Sequence, residues 1–248
     1  MAASLHSVYL GTVAYADAFA LQRAVHAARV AKTLGDTLLL LQHPPTITHH
    51  HAGKGLDHLL ASPERLASLG VLVQPTDRGG DITVHGPGQL VGYPIVALDE
   101  DGRDLHAYLR RVEQVLIEVA DDLGVPTARV PGRTGTWTTG ETPAKLAAIG
   151  VKASRWVTMH GFALNLTTDL SLFELIVPCG IADAGVTSVA RELGAAPPSM
   201  ESVASLAAAR FAQVFERSPS PAPDLLRMLC AASGNPCPLV DLSPSLPR

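Results

Sequence analysis

The chain has 248 residues, of which 47% are hydrophobic and only 17% are charged, so a largely disordered protein is excluded and a sizeable core is expected. Its formal net charge of -4 offers no basic field for nucleic acid or for an anionic membrane. No apolar run approaches the roughly 20 residues needed to cross a bilayer. We therefore expect a soluble protein with neither nucleic acid nor membrane as a partner.

The cysteines and the N-terminal residues indicate the compartment. Cys179, Cys230 and Cys237 cannot all pair within one chain, so at least one thiol is free for chemistry. The first 20 residues contain the Ala-x-Ala spacing of a signal peptide, but they carry Asp17 and no Lys or Arg precedes Arg23. These features predict a cytoplasmic protein.

In chain order, the first pattern predicts an amphipathic helix over residues 10–32, which Gly35 would end. Runs of strand type follow, separated by glycine and proline. They lie at 37–42, 47–48, 71–73, 82–84 and 90–98. The middle of the chain is therefore predicted to be rich in β-strands.

The second half alternates again between helix and strand. Asp104 is predicted to cap a helix whose apolar residues keep helical spacing until Gly124. Strands are predicted across 134–167, and a helix across 200–217. Residues 218–248 hold seven of the 19 prolines, a density that no regular element tolerates. We predict an α/β fold of the α+β type, with one mixed sheet and flanking helices over 1–217, and a peripheral tail over 218–248.

A glycine-rich motif, RGGDITVHGPGQ at 78–89, combines four glycines with a cation, a carboxylate and a histidine. Such loops can bring backbone N–H groups close to a ligand. They also occur as hairpin rims, where glycine only satisfies the turn. The motif matches neither Walker A nor GxGxxG, so it is a candidate ligand loop of no standard nucleotide-binding type.

Three single residues, Cys179, Lys145 and His160, are candidates for the functional site. Cys179 follows an apolar run and precedes a glycine, which suits either a nucleophile or a small buried hydrophobe. Lys145 enters an apolar strand, where its ammonium could stabilise a nearby thiolate or simply reach solvent from a sheet edge. His160, beside Gly161, either shapes a pocket or is a core residue. The local sequence leaves both interpretations of each residue open.

Three consecutive histidines, 49–51, suggest a metal site. Successive side chains of a strand point to opposite faces, so three in a row cannot all reach one ion. Adding His43 or His58 would complete a site only in a favourable fold. We therefore predict no metal, and a solvated loop near the mouth of a pocket for this run.

Five segments in order resemble the lipoyl(octanoyl) transferases of protein lipoylation. They are QHPPTIT (42–48), DRGGDITVHGPGQLVGYP (77–94), PGRTGTW (131–137), AKLAAIGVKASRWVTMHGFALN (144–165) and VPCG (177–180). The resemblance implies a fold similar to the catalytic domain of biotin and lipoate protein ligases. It implies an acyltransferase that moves an octanoyl group from octanoyl-acyl carrier protein to a lysine of a lipoyl domain. The implied acceptors are 2-oxoacid dehydrogenase E2 subunits and the glycine cleavage H protein, and no cofactor is implied.

The same resemblance assigns roles to residues. It places the family's nucleophile, which carries the acyl group as a thioester, on Cys179, and the lysine that lowers the pKa of that thiol on Lys145. Glycine N–H groups of the loops, at Gly79, Gly80 and Gly161, can supply oxyanion donors. The family's substrate-binding stretches fall on Arg78, Gly79, Gly80, Asp81, Ile82, Thr83, Val84 and His85, on Ala148, Ile149 and Gly150, and on Gly161, Phe162 and Ala163.

The nearest alternative is an ATP-dependent lipoate or biotin ligase of the same fold, which activates a free acid as an adenylate and needs no cysteine nucleophile. The combination of PCG with RGGDITVH favours transfer from a thioester. A non-catalytic binding domain would be expected to have lost the thiol or the lysine, and both are present. A cysteine hydrolase is disfavoured because no Cys–His–Asn order is evident.

Overall fold

The computed structural model describes residues 3–53, 55–99, 102–177 and 185–220. Its helices are α1 (Tyr15–Val30), α2 (Pro63–Ser68), α3 (Leu105–Asp122), α4 (Val189–Leu193) and α5 (Met200–Val214), with 3-10 helices at Leu56–His58 and Leu170–Leu175. Its strands are β1 (Ser4–Thr12), β2 (Asp36–Gln42), β3 (Thr46–His50), β4 (Leu72–Thr76), β5 (Thr83–His85), β6 (Gln89–Ile95), β7 (Thr127–Val130), β8 (Arg133–Thr138), β9 (Lys145–Ser154), β10 (Val157–Asn165) and β11 (Ser218–Ser220). Within these ranges, none of the helices has the length and hydrophobicity that crossing a bilayer requires.

Eight strands form one mixed sheet in the order β11-β1-β2-β6-β10-β9-β8-β7, and β4, β3 and β5 form a small second sheet. Alternate residues of β2 enter different cores: Leu38 and Leu40 pack in the cluster that contains α3 and α5, whereas Leu39 and Leu41 pack in the cluster that contains α1. The centre of the main sheet is therefore buried on both faces. The predicted mixed sheet with flanking helices is confirmed.

The helix predicted over 10–32 is wrong in its first part. Residues 4–12 form β1, which pairs in parallel with β2 and buries Leu5 and Leu10, and the helix begins only at Tyr15. Pairing with distant strands overrides the local pattern here. Strand β7 was not predicted, and its residues are exposed or half-buried.

Side chains cap the N-termini of both long later helices, and the cap of α3 by Asp104 was predicted from the sequence. The side chain of Asp104 accepts hydrogen bonds from the N–H groups of His106 and Ala107 at 2.8 and 3.0 Å. Ser199 caps α5 by accepting from the N–H of Ser202 at 3.2 Å. Each cap satisfies N–H groups that have no partner within the helix.

Asp36 joins the end of α5 to the sheet. Its buried carboxylate accepts hydrogen bonds from Arg29 at 2.7 Å, from Arg217 at 2.9 Å and from the N–H of Ala97 at 3.0 Å. Directly after Arg217 the chain forms β11 and pairs with β1. The described part of the predicted tail therefore starts as an edge strand, and the boundary at 217 stays a prediction.

Candidate active site

Twelve of the fourteen residues in the sequence-predicted binding stretches line one cavity, with an empty volume of about 510 Å³ that is partly open to solvent. Gly79 and Val84 do not line it: Gly79 packs on β9, and Val84 is buried in the core of the small sheet. Tyr15, Tyr93 and His160 complete the lining. The fold brings three distant stretches together, and their role in binding stays a prediction.

The glycine-rich loop lies directly against β9. The N–H of Gly79 donates to the carbonyl of Val151 at 2.9 Å. A methyl group added at Gly150 would lie 2.8 Å from the oxygen of Gly79 and 3.1 Å from Cδ of Arg78, so only glycine allows this close approach. Gly79 is therefore wrong as an oxyanion donor, because its N–H is already used by the sheet.

Buried amides fix the protonation of His85 in the cavity lining. Nδ2 of Asn165 donates to the carbonyl of Thr187 at 3.0 Å, so Oδ1 of Asn165 accepts from Nε2 of Gln89 at 2.9 Å. Oε1 of Gln89 then faces Nδ1 of His85 at 2.8 Å. Because this oxygen can only accept, Nδ1 carries the hydrogen. Burial lowers the pKa of His85 to about 3, so the ring is neutral and its Nε2 holds a lone pair.

His43 lies beside His85, with the ring centroids 5.4 Å apart. Its Nδ1 donates to the carbonyl of Val13 at 2.7 Å, so its Nε2 accepts from the hydroxyl of Tyr93 at 2.7 Å. Burial lowers the pKa of His43 to about 4 and raises that of Tyr93 well above its ordinary value. His43, His85 and Tyr93 are therefore uncharged at neutral pH.

His160 enters the cavity lining in a left-handed backbone conformation, with φ at +58° in the interior of β10. Its N–H donates to Oε1 of Gln22 at 2.9 Å, and its Nε2 donates to Asp77 at 2.7 Å. Burial lowers the pKa of His160. Burial would raise the pKa of Asp77, but hydrogen bonds from Lys152, at 2.6 Å, and from His160 outweigh it and lower that pKa. His160 is thus both buried and part of a pocket.

Lys145 is held at the first position of β9. Its N–H donates to the carbonyl of Gly185 at 2.8 Å, and its carbonyl accepts from the N–H of Thr187 at 3.0 Å. Nζ lies 4.8 Å from the centroid of the buried ring of Trp137, a distance at which an aromatic ring attracts an ammonium. Strand pairing therefore positions the backbone of Lys145, and the ring orients its charge.

Cys179, the predicted nucleophile, lies outside the described residues. On the side that precedes it, the N–H of Val177 donates to the carbonyl of His58 at 2.8 Å. On the side that follows it, Gly185 pairs with Lys145. The described chain therefore stops beside the 3-10 helix Leu56–His58 and resumes beside Lys145.

The histidine run 49–51 starts in β3 and continues past its end. His43 is bonded to Val13 and Tyr93, and His58 pairs with Asp81 at 2.5 Å. In the described ranges, no group of three or more His, Cys, Asp or Glu side chains is arranged to hold a metal ion. His51 lines a separate groove together with Asp77.

Known proteins are similar to this chain over most of its length. A family model described as the lipoyl protein ligase A/B catalytic domain matches residues 14–212. The chain is 49% identical to an octanoyltransferase of Chloroflexus aggregans over 212 residues, which cover 85% of this chain and 95% of that protein. It is 54% identical to an octanoyltransferase of Koribacter versatilis over 187 residues, which cover 75% and 74%.

Two solved structures share the fold. A bipartite lipoate protein ligase of Thermoplasma acidophilum matches with a TM-score of 0.71 at 12% identity, over 95% of this chain and 93% of that one. A lipoate-protein ligase A bound with ATP matches with a TM-score of 0.71 at 12% identity, over 95% of each chain. At such low identity these matches establish the fold and no more.

Proposed function

This chain belongs to the lipoyl protein ligase A/B catalytic-domain family and to its octanoyltransferases, and from that premise we propose that it transfers octanoyl groups during protein lipoylation in the cytoplasm. The donor is octanoyl-acyl carrier protein. The acceptor is the ε-amine of a lysine in a lipoyl domain, of an E2 subunit or of the H protein. The acyl group passes through a thioester on Cys179, with Lys145 as the second catalytic residue and without a cofactor.

The observation that carries the proposal is the convergence of stretches 78–85, 148–150 and 161–163 on one cavity. Its lining includes aliphatic and aromatic side chains, such as Ile82 and Phe162, and the neutral imidazole of His85, beside the polar ends of Arg78 and Asp81. Burying each methylene of an acyl chain contributes about 0.8 kcal/mol, so an octanoyl tail gains about 5 kcal/mol. A cavity of this kind supports binding of a linear apolar chain.

The first half-reaction exchanges one thioester for another. The thiolate of Cys179 attacks the carbonyl carbon of the octanoyl thioester, an S–C bond forms, and the carrier's sulfur leaves and takes up a proton. Exchange between two thioesters is close to balanced in free energy, and the product remains reactive towards an amine. The cation of Lys145 supports this step because a nearby positive charge favours the thiolate.

The second half-reaction forms an amide. The neutral amine of the acceptor lysine attacks the acyl-enzyme, its nitrogen loses a proton, and the sulfur of Cys179 leaves. His85 is a poor proton carrier for this step, since burial lowers its pKa to about 3 and an effective base has a pKa near the working pH. Lys145 therefore remains the group that exchanges protons in both halves.

The test is to incubate the protein with octanoyl-acyl carrier protein, then measure its intact mass and map the modified peptide. We expect one octanoyl group on Cys179, removable by hydroxylamine as a thioester. Cys179→Ser should abolish transfer to a lipoyl domain, whereas Cys230→Ser and Cys237→Ser, the matched controls, should retain it. An adduct on Cys230 or Cys237 contradicts the assignment.

The source of acyl activation, a thioester or ATP, distinguishes the proposed transferase from the ligase alternative. Transfer from octanoyl-acyl carrier protein should proceed in EDTA without ATP, because the thioester already carries the activation that an adenylate would supply. Free octanoate with ATP and Mg²⁺ should give no octanoylated lipoyl domain by mass spectrometry. Product formed only in the second mixture would establish a ligase instead.

A further inference from the structure

We propose that the hydrogen-bonded pair of His160 and Asp77 closes the far end of the acyl cavity and so limits the length of the acyl chain that the enzyme transfers. The proposal rests on the proposed function, because it takes the cavity described above as the site of the octanoyl tail. It assigns a specificity role to His160 and Asp77, and it identifies the space that a longer chain would need.

That space is a second groove beyond the pair. It has an empty volume of about 1200 Å³, partly open to solvent, and its lining includes Phe19, Asp77, Lys152 and Met159. His160 lines the acyl cavity, while its partner Asp77 lines the groove. The ring of Phe19 packs on that of His160 with the centroids 5.4 Å apart. The pair therefore stands between the two spaces, with one member in each.

The register of β9 and β10 gives the direction of the acyl chain and the length of the cavity along these strands. Ala148 pairs with Ala163, and Val151 pairs with His160. Lys145 starts β9 on the Ala148 side, so the reacting end of the substrate lies there and the tail points towards His160. From Ala163 to His160 are three steps of about 3.3 Å, or ~10 Å.

An extended octanoyl chain has a matching length. It contains seven C–C bonds, each about 1.5 Å long, and the zigzag spans ~9 Å. Its terminal methyl therefore reaches the level of the His160 ring when its carbonyl lies at the Lys145 end of the cavity. Two further methylenes would extend the chain by ~2.5 Å, into the space that the imidazole occupies.

The ring of His160 is held by a hydrogen bond to Asp77 and by contacts with the rings of Phe19 and Tyr93. The backbone of His160 has a φ of +58°, and its N–H is bonded to Gln22. Nε2 donates to Asp77, which also holds Lys152. Only 1% of His160 is exposed. A left-handed histidine persists where the surrounding contacts fix it, and moving this ring would break the hydrogen bond to a partly buried carboxylate.

The left-handed backbone suggests the decisive variant. Glycine adopts positive φ without a steric penalty, so His160→Gly removes the ring, relaxes the backbone and joins the cavity to the groove. His160→Asn keeps a residue that tolerates this conformation and is shorter than histidine. Arg23→Ala is the matched control, because Arg23 lines the groove but not the cavity.

The experiment measures kcat/KM for octanoyl-, decanoyl- and dodecanoyl-acyl carrier protein with the wild type and the three variants, each checked for folding by circular dichroism. In His160→Gly the ratio of dodecanoyl to octanoyl kcat/KM should rise at least about tenfold, which corresponds to roughly two newly buried methylenes. His160→Asn should give a smaller rise in the same direction. Arg23→Ala should leave the ratio as in the wild type.

The outcomes separate the two proposals. If the wild type transfers octanoyl groups but His160→Gly lowers kcat/KM equally for all donors, His160 is only structural and the length limit is refuted. If the wild type transfers no octanoyl group from the carrier, the proposed function fails and the length limit fails with it. If His160→Gly does not fold, His160→Asn decides: an unchanged ratio overturns the inference.

Discussion

Nε2 of Gln89 donates to Oδ1 of Asn165 at 2.9 Å, and this hydrogen bond links the two ends of the site. On one side, Gln89 accepts from His85 in the cavity. On the other side, Asn165 donates to the carbonyl of Thr187, whose N–H bonds the carbonyl of Lys145. The position of Lys145 and the protonation of His85 are therefore tied through two buried amides.

We expect Gln89→Leu and Asn165→Leu each to lower the free energy of unfolding by about 1–3 kcal/mol, because each leaves a buried polar partner unsatisfied. The double variant should lose less than the sum of the two, since both changes break the same hydrogen bond. Urea unfolding of the four proteins measures this coupling. Losses that add would show that the two amides act independently.

Gly150→Ala should reduce octanoyl transfer by at least about tenfold, since the added methyl would lie 2.8 Å from the oxygen of Gly79 and displace the glycine-rich loop. The φ angle of Gly150 is not positive, so the backbone accepts alanine and the effect is one of space. Transfer assays and thermal unfolding of the same variant separate a displaced loop, which lowers activity, from a general loss of stability. Full activity with an unchanged Tm would mean that the loop moves freely.

Stability should fall as the pH drops from 6.5 towards 4. In the unfolded chain His43 and His85 titrate near 6.5, whereas in the folded protein burial lowers their pKa values to about 4 and about 3. Between these values the unfolded chain binds more protons, so the free energy of unfolding rises with pH by up to about 1.4 kcal/mol per unit for each histidine. The stabilisation is complete above the unfolded pKa.

The check is denaturant unfolding at several pH values in the wild type and in His85→Gln. The variant should show a shallower slope between pH 6.5 and 4, reduced by about one proton's contribution. His43 and His160, whose pKa values burial also lowers, should contribute to the slope that remains. An identical slope in both proteins would show that His85 is protonated in the folded state.

Replacing Lys145 with methionine should move the half-point of iodoacetamide alkylation of Cys179 to higher pH, because a nearby cation stabilises the thiolate. Methionine keeps an unbranched apolar side chain that can pack on Trp137. Peptide mass spectrometry after timed alkylation measures the profile, with Lys152→Met as a matched control at the other end of β9. An unchanged pH profile of alkylation in Lys145→Met would show that Lys145 does not stabilise the thiolate of Cys179.

The resemblance, and not the local sequence, assigned the stretches 78–85, 148–150 and 161–163 to binding, because the glycines of 78–89 suit a hairpin rim equally well. The structure shows why glycine is needed at two of these positions, Gly79 and Gly150, where the loop touches β9. Tyr15 and Tyr93 could not be assigned to the cavity from the local sequence, since they come from α1 and β6 and meet only through tertiary packing. The tautomer of His85 depends on Asn165, which is 76 residues from Gln89.

Dependence on distant residues also explains why the first helix was predicted to start at residue 10 instead of at Tyr15. Residues 4–12 have an apolar spacing that suits a helix as well as a strand. Pairing with β2 and β11 selects the strand. A short apolar run carries too little periodicity to settle that choice. Helix α3 was predictable because its cap and its apolar face are both contained in one segment.

The pairing of Ser4 with Ser218 joins residues 214 positions apart, and this has a consequence for synthesis on the ribosome. While the chain emerges, β2 can already lie against β1, but the outer edge of β1 keeps unpaired N–H and C=O groups until the final turn of α5 and β11 have left the exit tunnel. An open strand edge is a template for association with other chains. Contacts of such long sequence separation form late, so a nascent chain arrested before residue 218 should be the species most dependent on chaperones, even though every residue of the acyl cavity has by then been made.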